Sequence, residues 1–235
     1  MKPVIDLILP CYNPAPGWAA ETCFHARRLQ RLLGDVTLRL TVVDDGSVRN
    51  VGSEEARQLA DLPLARIVGY GSNRGKGYAL RYAVRQCDAP YIIYTDLDFP
   101  FGPDSVKSVF DELENNADVV SGDRSKSYYS RLPLKRKITS KLSRWLNRRL
   151  LRIPVSDTQS GLKGFNRKGR ELFLQTKIDR FLFDTEFIFK VVRRSDLTLK
   201  TVRIDARQDI AFSNMGIAVL RKELKNFLMI LFRRV

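Results

Sequence analysis

Histidine occurs once, as His25, and cysteine three times, as Cys11, Cys23 and Cys87, with no CxxC spacing. A single histidine excludes zinc sites and metalloprotease helices that need two, and it leaves carboxylates as the plentiful hard ligands; any metal is expected to be Mg²⁺ or Mn²⁺. An odd, scattered set of cysteines argues against a disulfide framework and for a reducing compartment, with each thiol serving as a small buried apolar group. Long apolar runs are also missing. The longest late stretch without a charge, 226–232, has seven residues, against ~18–20 for a membrane-spanning helix. Asp6 interrupts the first apolar run, which excludes the unbroken core of a secretory signal. No helix-turn-helix, zinc-finger or RNP-type aromatic pattern is present, which argues against a nucleic-acid partner.

Acidic residues are absent from 124–152, where eleven Lys and Arg stand, and 221–235 adds a further +4. Together these two segments hold the whole net charge of +15 in a chain of 235 residues with 44% hydrophobic and 29% charged composition. Such numbers exclude a disordered chain and fit one domain over 1–235. Ile138, Leu142, Trp145, Leu146 and Leu150 follow helical spacing, as do Leu220, Leu224, Phe227, Leu228 and Leu231. Basic amphipathic helices are therefore expected at about 133–151 and 216–233. An apolar stripe with Trp, flanked by Lys and Arg, suits the headgroup layer of an anionic membrane, where each basic residue gains ~1 kcal/mol. The competing expectation is an ordinary helix whose stripe packs on the core.

β-rich runs at 4–9, 38–43, 65–68, 91–95, 119–123 and 199–204 alternate with helical segments at 18–33, 78–86 and 104–114. The pattern predicts an α/β fold, a mainly parallel sheet covered by helices on both faces, with ligands at the carboxyl ends of the strands. Gly71-Ser72-Asn73-Arg74-Gly75-Lys76-Gly77 is not a Walker A loop, because Tyr70 stands where its first glycine belongs and Gly77 where Ser or Thr belongs. It still offers Lys76 and backbone amides to a diphosphate at a helix start. Asp96-Leu97-Asp98 follows a strand directly, and strand alternation is expected to put both carboxylates on one side to hold a divalent cation between phosphates. Asp44-Asp45 forms a second carboxylate pair at a strand end.

Taken in order, Pro10-Cys11-Tyr12-Asn13, Val42-Val43-Asp44-Asp45-Gly46-Ser47, Asn73-Arg74-Gly75-Lys76-Gly77, Asp96-Leu97-Asp98 and Asp157-Thr158-Gln159-Ser160-Gly161-Leu162-Lys163-Gly164-Phe165 resemble family 2 glycosyltransferases over about residues 4–213. Within that family the chain most resembles the dolichyl-phosphate or polyprenyl-phosphate branch. The Asp-Thr-Gln segment and Phe183-Asp184-Thr185-Glu186 are nearest to dolichyl-phosphate glucose synthases. The resemblance implies a GT-A fold, a nucleotide-diphosphate sugar donor, Mg²⁺ or Mn²⁺, and inversion at the anomeric carbon. It further implies that Pro10, Tyr12 and Asp44 or Asp45 line the nucleoside pocket, that Lys76 approaches it, and that Asp96 and Asp98 face ribose and metal. Arg124 resembles the arginine that meets an acceptor phosphate, Arg136 or Lys137 with Lys141 the basic cluster of an interfacial helix, and Arg207, ahead of Phe212-Ser213, a late phosphate-binding arginine. One departure is Pro100, where many relatives carry Gln or another polar residue. Another is that relatives often continue into transmembrane helices, so surface attachment at the cytoplasmic face of the membrane is the expectation here.

A polyprenyl phosphate is already anionic at neutral pH and needs cations to position it rather than a strong base. A sugar-hydroxyl acceptor would need a deprotonating carboxylate, for which Asp157 and Asp184 are the candidates. The expected roles of these two are a turn or cap carboxylate for Asp157 and a helix N-cap for Asp184, with Glu186 in the wall of the site. Three functions follow: hexose transfer to a polyprenyl phosphate, transfer to a hydroxyl in lipid-linked or surface polysaccharide synthesis, or a basic membrane- or nucleic-acid-binding module with a degenerate nucleotide pocket.

Overall fold

The computed structural model describes residues 3–209 and 217–232, with 217–222 described by backbone alone. Seven strands form one sheet: β1 (Val4–Cys11), β2 (Thr37–Asp44), β3 (Ala65–Gly69), β4 (Tyr91–Tyr94), β5 (Val119–Arg124), β6 (Lys163–Asn166) and β7 (Leu199–Ile204). Their order is β3-β2-β1-β4-β6-β5-β7. β6 runs antiparallel between β4 and β5, and the other neighbours are parallel. The helices between them are α1 (Trp18–Leu33), α2 (Ser53–Ala60), α3 (Lys76–Val84), α4 (Gly102–Glu114), α5 (Lys126–Ser130), α6 (Leu134–Arg149), α7 (Arg167–Leu174), α8 (Phe183–Val191) and α9 (Ile217–Leu231).

β1 is buried on both faces because helices cover both. Leu7 and Leu9 join the core under α1 and α4, with Leu29, Val109 and Phe110, while Ile8 joins that under α3, α7 and α8, with Tyr94, Phe173 and Phe187. This explains the near-continuous apolar run of β1. The strand also continues through Pro10. Cys11 O accepts from Asp45 N at 2.8 Å, so Cys11 faces β2, and Pro10 faces the side where β4 has already ended opposite Ile8. The missing proline N–H therefore breaks no ladder bond. The chain winds from β1 through β2 to β3 on one side and then crosses to β4 on the other side of β1, a switch point of the kind at whose carboxyl strand ends open α/β sheets bind ligands.

β6 is an addition to the sequence expectation. Lys-Gly-Phe-Asn is short and half of it is poor strand-forming sequence, so tertiary pairing on both edges makes this strand. The second basic helix occupies Ile217–Leu231, so residues 216 and 233 of its expected span lie outside the described residues, as do Phe212 and Ser213. Among the described residues no helix is long and apolar enough to cross a membrane.

Candidate active site

At the carboxyl end of β2 the adjacent aspartates have different work. Asp45 is buried, and its oxygens accept from Tyr70 Oη (2.7 Å), Asn73 Nδ2 (2.8 Å), Arg74 N (2.7 Å) and Gly75 N (2.9 Å). It organises the glycine loop and is withdrawn from the pocket it was expected to line. Asp44 is half-buried and accepts from Ser47 N at 2.9 Å. Ser47 Oγ in turn accepts from Asn13 N at 2.8 Å, which laces the β1 and β2 loops together beside the exposed Tyr12. The loop delivers the chain to α3 through Gly75, whose φ of 108° and whose approach to Asp179 O, 2.5 Å from where a Cβ would stand, leave room only for glycine. α3 begins at Lys76 rather than at 78, and Lys76 Nζ pairs with Asp96.

Strand alternation is not what sets the two carboxylates of Asp96-Leu97-Asp98. β4 ends at Tyr94, and a turn closed by Phe99 N on Asp96 O (3.0 Å) carries both. Phe99 takes φ 46° in that turn, a conformation costing about 1–3 kcal/mol away from glycine. It is held there by full burial and by stacking on His25, with centroids 5.2 Å apart. Asp98 reaches solvent, yet the protein around it and the charge of Asp96 raise its pKa. Two hard carboxylates, one of them short of positive charge, fit a divalent cation. Among the described residues no third acidic, His or Cys side chain joins them, so phosphate and water would complete a Mg²⁺ or Mn²⁺ shell. Asp96 is backed by Gly161, where a Cβ would lie 2.2 Å from its Oδ2.

The 157–161 turn that supplies Gly161 is tied down by charge. Lys163, fully buried in β6, donates to Ser160 O and to Asp184 Oδ1, both at 2.7 Å, and Tyr94 Oη donates to the same Asp184 oxygen at 2.6 Å. Burial lowers the Lys163 pKa against the pull of Asp184. Asp184 is thus a buried ion-pair partner in the first turn of α8, whose N-cap is Leu182, and not the expected cap. Glu186 is likewise no wall of the site: it is fully buried and accepts from Lys177 N and Ile178 N. A lysine between Leu162 and Phe165, in an otherwise apolar stretch, was the available signal for this network.

Arg124, at the end of β5, makes a two-pronged pair with Asp157: Nε to Oδ2 at 2.5 Å and Nη2 to Oδ1 at 2.7 Å. Burial opposes ionisation of both groups, but each holds the other charged, so the Asp157 pKa is lowered and that of Arg124 raised. Asp157 also accepts from Gln159 N at 3.1 Å, the turn role expected of it. Arg207 donates to Asp98 O and to Glu21 Oε1, each at 2.9 Å, and contacts Asp209 and His25. It borders a cavity of about 540 Å³ between α1 and α4 whose other charged walls include the Arg28–Asp104 pair. Arg131 fixes this segment by donating to the carbonyls of Ala206, Arg207 and Gln208 at 3.3, 3.0 and 2.8 Å. Both arginines expected to meet an acceptor phosphate therefore already have carboxylate partners.

α6 stands on the 157–160 turn through Asn147 Nδ2 to Thr158 Oγ1 (2.9 Å) and Ser143 Oγ to Gln159 Oε1 (3.3 Å). Asn147 is its one buried residue. Arg136 and Lys137 are half-buried, and Lys141 is exposed. The stripe expected to choose between membrane and core is divided: Leu146 is partly buried and packs against the core, whereas Ile138 is 59% exposed, Leu142 54%, Trp145 55% and Leu150 45%, with Leu134 before them at 73%. On α9, Phe227 and Ile230 are buried, while Leu224 and Leu228 are exposed, as is nearby Phe232.

Comparison with known proteins gives a match to Glycosyl transferase family 2 over residues 6–173. The chain is 29% identical to an N-acetylglucosaminyltransferase of Mesorhizobium japonicum over 139 residues, 55% of this chain and 32% of that protein. It is 25% identical to glycosyltransferase AglD of Haloferax volcanii over 197 residues, 80% of this chain and 31% of that protein. The chain spans about a third of the length of these curated relatives. Among solved structures, glucosyl-3-phosphoglycerate synthase of Mycobacterium tuberculosis, in complex with Mn²⁺, UDP-glucose and phosphoglyceric acid, shares the fold with a TM-score of 0.70 at 19% identity, covering 99% of this chain and 79% of that one.

Proposed function

Because the chain belongs to Glycosyl transferase family 2 and has a GT-A fold, we propose that it is an inverting transferase moving a hexose from a nucleotide-diphosphate sugar, such as UDP-glucose, to a polyprenyl phosphate. It works as one catalytic unit bound peripherally to the cytoplasmic face of an anionic membrane. The observation that carries this reading is the outward apolar face of α6. At 3.6 residues per turn Ile138 lies about 180° and Trp145 about 160° around the helix from buried Asn147, and basic residues flank the stripe. Solvating that face in water costs free energy that a lipid interface recovers.

The carboxylates point the same way. A hydroxyl nucleophile needs a base, but Asp157 is locked to Arg124 with a lowered pKa and Asp184 is buried on Lys163. An acceptor that arrives ionised needs neither. The donor lies between Tyr12, Pro10 and Asp44 on one side and the Lys76–Asp96 pair on the other, with its diphosphate towards Asp98. Asp98 with Asp96 would hold Mg²⁺ or Mn²⁺, which would supply positive charge to the nucleotide diphosphate as it leaves. Lys76 keeps Asp96 in place, and Gly161 backs it.

Purified protein incubated with nucleotide sugars and a short polyprenyl phosphate is expected to give a prenyl-phosphate hexose, and EDTA to stop it. Asp98→Ala is expected to lower the rate at least ~10³-fold. Sugar transfer only to hydroxyl acceptors would overturn the assignment of acceptor, and undiminished biological activity of the Asp98→Ala protein would favour a binding module instead.

A further inference from the structure

Arg144 belongs to none of the motifs that single out the other basic residues, yet it is half-buried on the inner side of α6, as Arg136 and Lys137 are. It lies about 60° around the helix from Asn147, and its guanidinium covers the Tyr129 ring at 4.0 Å from the centroid. The Arg124 guanidinium lies 5.7 Å from the same centroid. The two arginines differ in what answers them. Arg124 has Asp157, whereas Arg144 has no ion pair among the described residues, and its Nε is buried without a hydrogen-bond partner. Tyr129 Oη is a second buried polar atom, beside Asp157 but without a well-formed hydrogen bond there. Burial, with Asp157 close by, pushes the Tyr129 pKa up to about 12, so the hydroxyl keeps its proton.

Buried donors left unmade cost about 1–3 kcal/mol each, more when charged, so paired orphans call for a ligand. Arg124 and Asp157 cancel, which leaves Arg144 as a net positive charge, and no acidic residue occurs anywhere in 124–152. We propose that Arg144 and Tyr129 form an oxyanion subsite for a phosphate monoester, on the inward side of the helix whose outward side meets lipid. The placement suits the chemistry. Asp157, on Arg124, and Gly161, against Asp96, are four residues apart, so at most ~14 Å of chain separates the subsite's neighbour from the carboxylates of the donor site. A prenyl phosphate with its head on Arg144 and its tail leaving over α6 spans water and bilayer in one step. This rests on the proposed function for the identity of the ester, although its test does not.

The test titrates geranyl phosphate, below its micelle concentration and without a bilayer, into the wild-type chain, Arg144→Met, Arg144→Lys and Tyr129→Phe. Expected are a dissociation constant about ten- to a hundredfold weaker in Arg144→Met, an intermediate value in Arg144→Lys and a few-fold loss in Tyr129→Phe, with UDP affinity unchanged throughout. Sedimentation with anionic vesicles lacking prenyl phosphate is expected to be the same for Arg144→Met as for wild type. Equal geranyl phosphate affinity in Arg144→Met and wild type, or no binding to wild type, overturns the subsite. So does a variant that loses only vesicle binding, because the cation would then serve bilayer headgroups. If wild type binds the ester through Arg144 yet transfers no sugar to it, the subsite stands and the proposed function falls.

Discussion

α1 and α6 are both sixteen residues long and both amphipathic, yet they present their apolar faces in opposite directions. α1 buries Trp18, Ala19, Cys23, Ala26, Leu29 and Leu33 against β1 and β2, and its polar face goes to water. α6 buries one asparagine and shows Leu134, Ile138, Leu142 and Trp145 to the outside. Periodicity alone does not separate them, since it defines a stripe without saying what covers it. Charge does. α1 carries Arg27, Arg28 and Arg31 with Glu21 and His25, and several of these pair with the body of the protein; α6 carries seven Lys and Arg and no acid. A helix of one charge sign round an apolar stripe is designed for an oppositely charged, apolar neighbour, and the protein interior is not one.

Introducing the same charge into each stripe gives the sharpest break. Leu29→Asp, at a fully buried position, is expected to cost more than about 4 kcal/mol and to unfold the chain in thermal melts. Leu142→Asp is expected to stay within ~0.5 kcal/mol of wild type while losing most binding to anionic vesicles. Equal destabilisation by the two would mean that the α6 stripe is covered in the free protein.

A smaller effect concerns what the two helices stand on. α1 rests on apolar contacts, whereas α6 rests on a turn whose first residue is Asp157. Asp157→Asn leaves Arg124 buried beside a neutral amide and is expected to cost about 3–5 kcal/mol or less, with stability and sugar transfer falling together. Full stability with transfer lost at least ~10³-fold would instead identify Asp157 as the general base and restore a hydroxyl acceptor.

The smallest effect is in pH. His25, on α1, has its pKa lowered by burial and by Arg207, so the unfolded chain binds its proton first; the stability it contributes is complete above its ordinary value of 6.5 and is lost as pH falls from there towards the folded value. Asp157 is also lowered, because Arg124 outweighs burial, so its contribution is present above the ordinary 3.8 and disappears only as pH falls through the lower folded value. Hydrogen exchange followed from pH 7 to pH 4 should therefore show α1 loosening first and the α6 turn holding. The reverse order would contradict both assignments.

Much of this was legible in the residues. Six of the seven strands, the limits of α1 and the positions of α4, α6 and α9 follow from alternation, 3.6-residue spacing and turn chemistry, because these are local rules. The carboxylate pair at 96 and 98 was visible too, although a turn with Phe99 in a left-handed conformation positions it, not strand alternation. β6 was not legible, since four residues with Lys and Gly among them carry no strand signal and pair only because β4 and β5 leave a slot. Nor was the commitment of Asp45 to the glycine loop, 28–30 residues away, or of Asp184 to Lys163.

The amino-acid order alone determined the layered α/β plan, the confinement of +15 to two segments and the hard-ligand character of any metal site, because composition and short-range periodicity carry those properties. Which cations remain open to a ligand was decided only by the tertiary structure. Arg124 meets a carboxylate 33 residues away and Arg144 meets none among the described residues. The difference arises because ion pairing depends on distance through space, which the crossing of the chain sets and its local sequence does not.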